Sequence, residues 1–424
     1  MRPEIERLRG SPTEHARALR ELIPAPASVA ERVAEIIAEV RAGGDPVVHE
    51  LTRRFDSPAV PAALRVDPPA ITAALDALPA ELRAGLELAI DNVRAVAEGW
   101  GLAAVGKVEL PGEEIRLRRV PVERAAVYVP GGRAPYPSTV VMGVLTARVA
   151  GVPQVTVSAP PGRDGEVDPV VLAACALAGA DTVLRMGGAQ AVAALSYGTE
   201  TVDPVDVIVG PGNLYVQEAK RQCSRVVGID SFAGPSDLLL LAGAGADPAP
   251  LALDLLAQAE HGPGTLVVAG STARSLLDAL AAELASAADG EAVLRLVELG
   301  SAEEALELAQ AFAPEHLQLV GAEMEALSER CTRAGCVFVG AGAGTAFGDY
   351  IAGSNHVLPT TGAARFASGL TPAHFQRTFA EVRIAEPGPL ARAAAPIARA
   401  EGFELHARSM EARIRDNAED EPHR

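Results

Sequence analysis

Eight histidines occur in this 424-residue chain, and four of them stand beside groups that bind metals or move protons. Gln258-Ala259-Glu260-His261 closes an apolar run at Gly262-Pro263. Gln258 and His261 are three residues apart and so share one helix face. An amide and an imidazole there could reach one metal ion, although the same spacing also serves a solvated face. Ala313-Pro314-Glu315-His316-Leu317 puts a carboxyl group next to an imidazole. Neighbouring side chains diverge on a regular helix or strand. At a turn both can enter one cleft, where such a pair suits acid/base catalysis. A proline-initiated turn with two surface polar residues fits the same letters. Asp349 and His356 lie in a long glycine-rich stretch, Gly348-Asp349-Tyr350 and Gly353-Ser354-Asn355-His356, of the kind that builds sites on a rigid scaffold. Glu401 and His406 lie five apart on a tail helix. One Gln, one Asp and several His make a nitrogen/oxygen shell adequate for zinc without a thiolate. His15, His49, His374 and His423 sit among ordinary helical or terminal residues and read as surface positions.

These residues need a scaffold, and hydrophobic periodicity supplies one. Ala27 to Phe55 reads as helices around a Gly43-Gly44 break, and Ile71 to Trp100 continues in the same style. From Arg124 the texture changes to strand-helix alternation. AAVYV leads to a helix capped by Ser138, then QVTVSA, VVLAACALAG, DTVLRM, AQAVAALSYG, VDVIV, LYVQEAKRQ and RVVGI. LLLLA, a helix from Pro248 to His261, TLVVAG, and the stretch from Ser301 to Val339 resume it, with a capping-box pattern at Ser301–Glu304. Such alternation implies parallel βαβ units. The expected fold is α/β, with two Rossmann-like doubly wound parallel-sheet domains and small helical N- and C-terminal extensions. The last residues, RDNAEDEPHR, read as disordered.

Three glycine turns follow strands of this pattern: Pro130-Gly131-Gly132, Gly187-Gly188-Ala189-Gln190 and Gly210-Pro211-Gly212-Asn213. Open α/β sheets bind ligands at such strand ends. Helix N-termini there suit a diphosphate. Gly340-Ala341-Gly342-Ala343-Gly344 after CVFV looks like a dinucleotide fingerprint. Thr345 stands where the third glycine belongs, so the match fails and a mobile loop is the better reading.

Composition narrows the function classes. Apolar residues are 49% and charged residues 22%, enough for sizeable cores. The formal net charge of -18 argues against nucleic acid or anionic membranes as partners, since both select clustered Lys and Arg. The four cysteines show no disulfide framework, and the start of the chain lacks an apolar signal core. A soluble, cytoplasmic protein is expected.

The stretches VRAGGDPVVHELTRRFD, VYVPGGRAPYPSTVVM, MGGAQAVAALSYGT, VGPGNLYVQEAKRQ, GIDSFAGPSDLLLLA, LLAQAEHGPG, APEHLQL and GDYIAGSNHVLPT, in this order, closely resemble the histidinol dehydrogenase family. The resemblance implies an NAD-dependent, zinc-dependent alcohol and aldehyde dehydrogenase. Such an enzyme oxidises L-histidinol through L-histidinal to L-histidine, the last steps of histidine biosynthesis. A relative acting on a different amino alcohol or polyol is the alternative. The family's zinc ligands fall on Gln258, His261, Asp349 and His406, with one zinc per subunit. Its catalytic pair falls on Glu315 and His316, and its NAD contacts on Tyr128, Gln190 and Asn213. Its substrate contacts fall on Ser236, Gln258, His261, His316, Asp349, Glu401 and His406, with His356 as a further contributor. Asp237 departs from the pattern, standing where the family usually carries Glu. The resemblance also implies a homodimer with shared active sites. The expected organisation is a helical extension at 1–25, a discontinuous first α/β domain at 26–126 and 236–370 carrying the zinc and catalytic residues, an NAD-binding domain at 127–235, and a helical tail at 371–424 serving the partner's site.

Overall fold

A computed structural model describes residues 4–8, 10–23, 28–101, 106–131, 134–231, 234–285 and 291–414. Gly132 of the first glycine turn, His423 and the RDNAEDEPHR tail lie outside them. The described strands are β1 (Glu4–Arg7), β2 (Lys107–Leu110), β3 (Glu113–Pro121), β4 (Arg124–Tyr128), β5 (Gln154–Ala159), β6 (Thr182–Arg185), β7 (Val207–Val209), β8 (Gly228–Ile229), β9 (Asp237–Ala242), β10 (Leu266–Ser271), β11 (Val293–Glu298), β12 (His316–Val320), β13 (Cys336–Val339) and β14 (Gln376–Ile384).

Two parallel sheets carry the architecture, which is α/β as the alternation implied. One has the order β6-β5-β4-β7-β8 and the other β1-β11-β10-β9-β12-β13. Both belong to one compact unit, Met1–Gly101 with Pro121–Phe375. Strands β9 and β10 are buried at every position, which their unbroken apolar runs require in a sheet covered on both faces. Their flanking helices are fixed locally. Pro137 opens the helix Pro137–Val149, so Ser138 falls inside its first turn and the expected Ser138 cap is absent. Ser301 does cap the helix Ala302–Phe312, accepting the Glu304 N–H at 3.2 Å. The Glu304 carboxylate takes the Gly300 N–H instead of Ser301's, at 2.8 Å, so the capping box is displaced by one residue.

Three expectations need correction. The helices Ala30–Phe55 and Ala80–Gly99 pack on the five-stranded sheet, not on the six-stranded sheet with which the sequence grouped the stretch 26–126. Val33, Ile36, Ile37, Val40, Val48 and Leu51 of the helix Ala30–Phe55 join one core with Ala126, Leu184 and Ile208. Ile90 and Val93 of the helix Ala80–Gly99 join another with Val127 and Val157. The helical N-terminal extension does contain a helix, Pro12–Glu21, but β1 precedes it and pairs with β11 as an edge strand. His15 on that helix is buried, where a surface position was expected. The Gly43-Gly44 break is a kink. Gly44 has φ 59°, and a side chain there would strike the Glu200 carboxylate, which accepts the Asp45 N–H at 2.7 Å.

The second unit, Leu102–Val120 with Gln376–Arg424, is more than a helical tail. It holds the three-stranded sheet β14-β3-β2, with β2 and β3 antiparallel, and the helices Pro387–Ala400 and Glu404–Glu411.

Candidate active site

The Glu315–His316 pair is made by a turn feeding into β12. Ala313 ends the preceding helix in the left-handed region, with φ 48°, and Pro314 follows. This abrupt reversal lets Glu315 and the first strand residue His316 serve one cleft. The His316 Nδ1 lies 3.8 Å from the Glu315 Oε2, and the His316 Nε2 lies 3.7 Å from the Asp349 Oδ1. The Nδ1 is buried and has no hydrogen-bond partner among the described residues. A cleft of about 440 Å³ runs past Ser236, His261, Glu315, His316, Asp349 and His356 to the Gly210–Asn213 turn.

Glu315 is held by a relay. The Gln258 Nε2 donates to the Ser236 Oγ, and the Ser236 hydroxyl donates to the Glu315 Oε2. The Asp237 N–H donates to the same oxygen at 3.1 Å. Burial pushes the Glu315 carboxyl up to about 7 against the pull of His316. Burial of His316 opposes its charged form, but the Glu315, Asp349 and Asp237 carboxylates outweigh it and raise the imidazole to about 9. Burial raises Asp349, yet hydrogen bonding from His316 and the neighbouring imidazoles bring it below its usual range.

His261 keeps an exposed edge, while desolvation of the rest holds its imidazole below the usual value. His356 is the more committed histidine. Its Nδ1–H donates to the Asp349 carbonyl at 2.9 Å, which leaves Nε2 to accept the Thr139 hydroxyl at 3.2 Å. Burial favours this neutral form. His356 thus ties its loop to the end of the short helix that carries Asp349, and its ring nitrogens are both occupied.

The second half of the site is built from strand ends of the other sheet. A cleft of about 420 Å³ is lined by Tyr128, Gln190 and Asn213, together with Asp56, Gly131 and Gly188. The Tyr128 phenol accepts the Gly188 N–H at 3.0 Å. Asn213 caps the helix Leu214–Cys223, accepting the Tyr215 and Val216 N–H groups at 3.0 and 3.2 Å. Gly210, with φ 115°, is obligatory, because a Cβ would fall 2.1 Å from the Tyr128 carbonyl oxygen. Sequence reasoning missed Asp56. It accepts a hydrogen bond from the Gln190 Nε2 at 3.2 Å, and burial pushes its carboxyl up to about 6. It ends the matched stretch VRAGGDPVVHELTRRFD, which was its only signal. The Gly340–Gly344 stretch is a turn leading into the short helix Thr345–Tyr350, which delivers Asp349.

Glu401 and His406 lie on the second unit and are solvent-exposed. Glu401 follows the helix Pro387–Ala400, and the His406 ring stands 5.1 Å from that of Phe403.

The histidinol dehydrogenase family model matches residues 24–414. The chain belongs to the histidinol dehydrogenase family. It is 43% identical to the histidinol dehydrogenase of Parasynechococcus marenigrum, over 90% of each chain. It is 44% identical to that of Cereibacter sphaeroides, over 90% of this chain and 91% of the relative. The crystal structure of histidinol dehydrogenase from Elizabethkingia anophelis, 29% identical, superimposes with a TM-score of 0.89 over 97% of this chain and 98% of that one. Family membership makes the chain an oxidoreductase and links it to histidine biosynthesis. Among the described residues no helix is long and apolar enough to cross a membrane.

Proposed function

We propose that this chain oxidises L-histidinol through L-histidinal to L-histidine in the cytoplasm, using zinc and NAD. The observation that carries the reading is the buried Glu315–His316 pair in a cleft that joins Ser236, His261 and Asp349 to the Asn213 turn. A single acid/base group suffices for an alcohol-to-aldehyde oxidation; a second suits a further oxidation that consumes water.

The donor set fits zinc. Gln258 commits its Nε2 to Ser236, which leaves its amide oxygen as a possible ligand, and Ser236, His261 and Asp349 line one cleft. Among the described residues no three His, Cys, Asp or Glu side chains converge as a closed cage. That incompleteness suits a shell finished by His406 from elsewhere, here assigned to the neighbouring subunit of a homodimer together with Glu401. Exposed Phe379, Val382, Ile384, Ile397, Phe403 and Leu405 give the second unit an apolar surface consistent with such an interface. The Tyr128, Gln190 and Asn213 cleft fits a dinucleotide in being bounded by backbone turns and helix N-termini, without a glycine fingerprint.

When bound, zinc would position the substrate through its imidazole and amino nitrogens, and NAD would accept the hydrides. The protein's own residues handle the protons. His316 takes the hydroxyl proton in each oxidation. A cation held by Asp349 would offset part of the negative charge that raises the His316 imidazole, which favours the neutral form a base needs. Glu315, oriented by Ser236 and Asp237, takes a proton from the water that adds to the aldehyde. An aldehyde held beside the buried His316 and Glu315 is kept from bulk solvent.

The test is metal removal. The purified protein should hold about one zinc per chain, as a single four-ligand site implies. Chelation should abolish L-histidinol oxidation, and zinc should restore it. Full turnover by metal-free protein, or a preference for amino alcohols lacking an imidazole, would refute the assignment.

A further inference from the structure

The structure assigns a positioning role to Arg20 and Asp237, which together fix the carboxylate of Glu315; this rests on the reading of Glu315 as the water-activating group. Asp237 is 1% exposed and meets Glu315 from two directions. Its side-chain Oδ1 accepts the Glu315 N–H at 2.8 Å, while its own N–H donates to the Glu315 Oε2 at 3.1 Å. One residue therefore pins both the backbone and the carboxylate of the proposed base. The Asp237 Oδ2 also accepts the Thr361 N–H at 3.0 Å.

A buried carboxylate with these duties needs a counter-charge. Arg20 supplies it from the helix Pro12–Glu21, some two hundred residues away in sequence. Its Nη1 donates to the Asp237 Oδ2 at 2.7 Å and its Nη2 to the Oδ1 at 3.3 Å, the fork geometry that fixes a carboxylate's plane. The Nη2 also donates to the Phe312 carbonyl at 2.8 Å, and the guanidinium lies 3.8 Å from the centre of the Phe312 ring. Arg20 thus grips the turn that holds Ala313 in its left-handed conformation, a backbone state that persists only where surrounding contacts over-determine it. Removing either member frees the turn and the carboxylate together. His316 is held separately, by its strand and by Asp349, so the two oxidations should respond differently.

The experiment feeds L-histidinol and L-histidinal separately to the zinc-loaded, full-length protein and to its variants. Glu315→Gln calibrates the assay by lowering histidinal oxidation far more than histidinol oxidation. Arg20→Met and Asp237→Asn should each lower histidinal oxidation at least about tenfold more than histidinol oxidation. The KM for NAD should stay within about twofold, and Arg20→Lys, which keeps the charge but not the fork, should recover only part of the loss. If Arg20→Met does not fold, the near-isosteric Asp237→Asn carries the same comparison. With Glu315→Gln selective, equal loss of both oxidations in Arg20→Met or Asp237→Asn, or no loss in either, overturns the positioning role. An unselective Glu315→Gln overturns the water-activating reading itself, and the inference with it.

Discussion

The two parallel sheets meet the active-site cleft by opposite ends and with different chemistry. The five-stranded sheet presents the carboxyl ends of β4, β6 and β7, where glycine turns lie beside the uncharged side chains of Tyr128, Gln190 and Asn213. The six-stranded sheet presents the amino ends of β9 and β12, where Ser236, Asp237, Glu315 and His316 are packed into one buried network. The first arrangement follows the general preference of open α/β sheets for binding at carboxyl ends. The second does not. A turn entering a strand, unlike a turn leaving one, feeds residue pairs directly into the buried sheet, and burial is what moves their proton affinities. Binding by shape and backbone is thereby separated from chemistry by buried charge.

The sharpest way to break this contrast is on the charged side. His316→Asn should lower both oxidations by about 10²–10⁴-fold, the usual cost of losing one positioned base. Steady-state rates with L-histidinol and with L-histidinal check it, and retention of either would move the base elsewhere. On the neutral side the losses should be milder and confined to the cofactor. Asn213→Ala removes a helix cap worth about 1 kcal/mol. It should raise the KM for NAD roughly 2- to 10-fold, the worth of one hydrogen bond, with little change in the KM for L-histidinol. Equal rises in both would mean that the Asn213 turn binds no dinucleotide in particular.

Asp56 sharpens the comparison because it places a half-buried carboxyl beside the uncharged Tyr128, Gln190 and Asn213. Its folded-state value is raised from 3.8 to about 6 by burial. A carboxyl raised in this way destabilises the fold at a pH above its folded value. That cost fades as pH falls through the window and is gone below the unfolded value. The shift corresponds to at most about 3 kcal/mol. Asp56→Asn should therefore gain thermal stability on the parent chain as pH rises from about 4.5 to 7. A Tm difference constant across that range would contradict the assignment.

The sequence made the neutral half more legible than the charged half. Strand-helix alternation placed β4 to β10, and the glycine turns marked where a ligand crevice opens. Gln258, His261, Glu315, His316 and Asp349 were legible as types, and the family resemblance gave them roles. Their supports were not. Asp237 stood out only as a departure from the family pattern, and nothing near it in sequence points to Arg20, because that pairing is purely tertiary. The strands β2, β3 and β14 were missed for a related reason. Their faces are largely exposed, so apolar periodicity is weak and charged residues alternate instead. The placement of the helices Ala30–Phe55 and Ala80–Gly99 on the five-stranded sheet was equally illegible, since an amphipathic helix declares that it buries a face, not which sheet covers it.

The central claim is that one cleft carries out two successive oxidations, with His316 as base for both and Glu315 serving the second. The most direct measurement follows absorbance at 340 nm as a known amount of L-histidinol is consumed in excess NAD, with the amino-acid product quantified in parallel. Two NADH and one L-histidine per L-histidinol is the expected result. One NADH per L-histidinol with free aldehyde accumulating would contradict it.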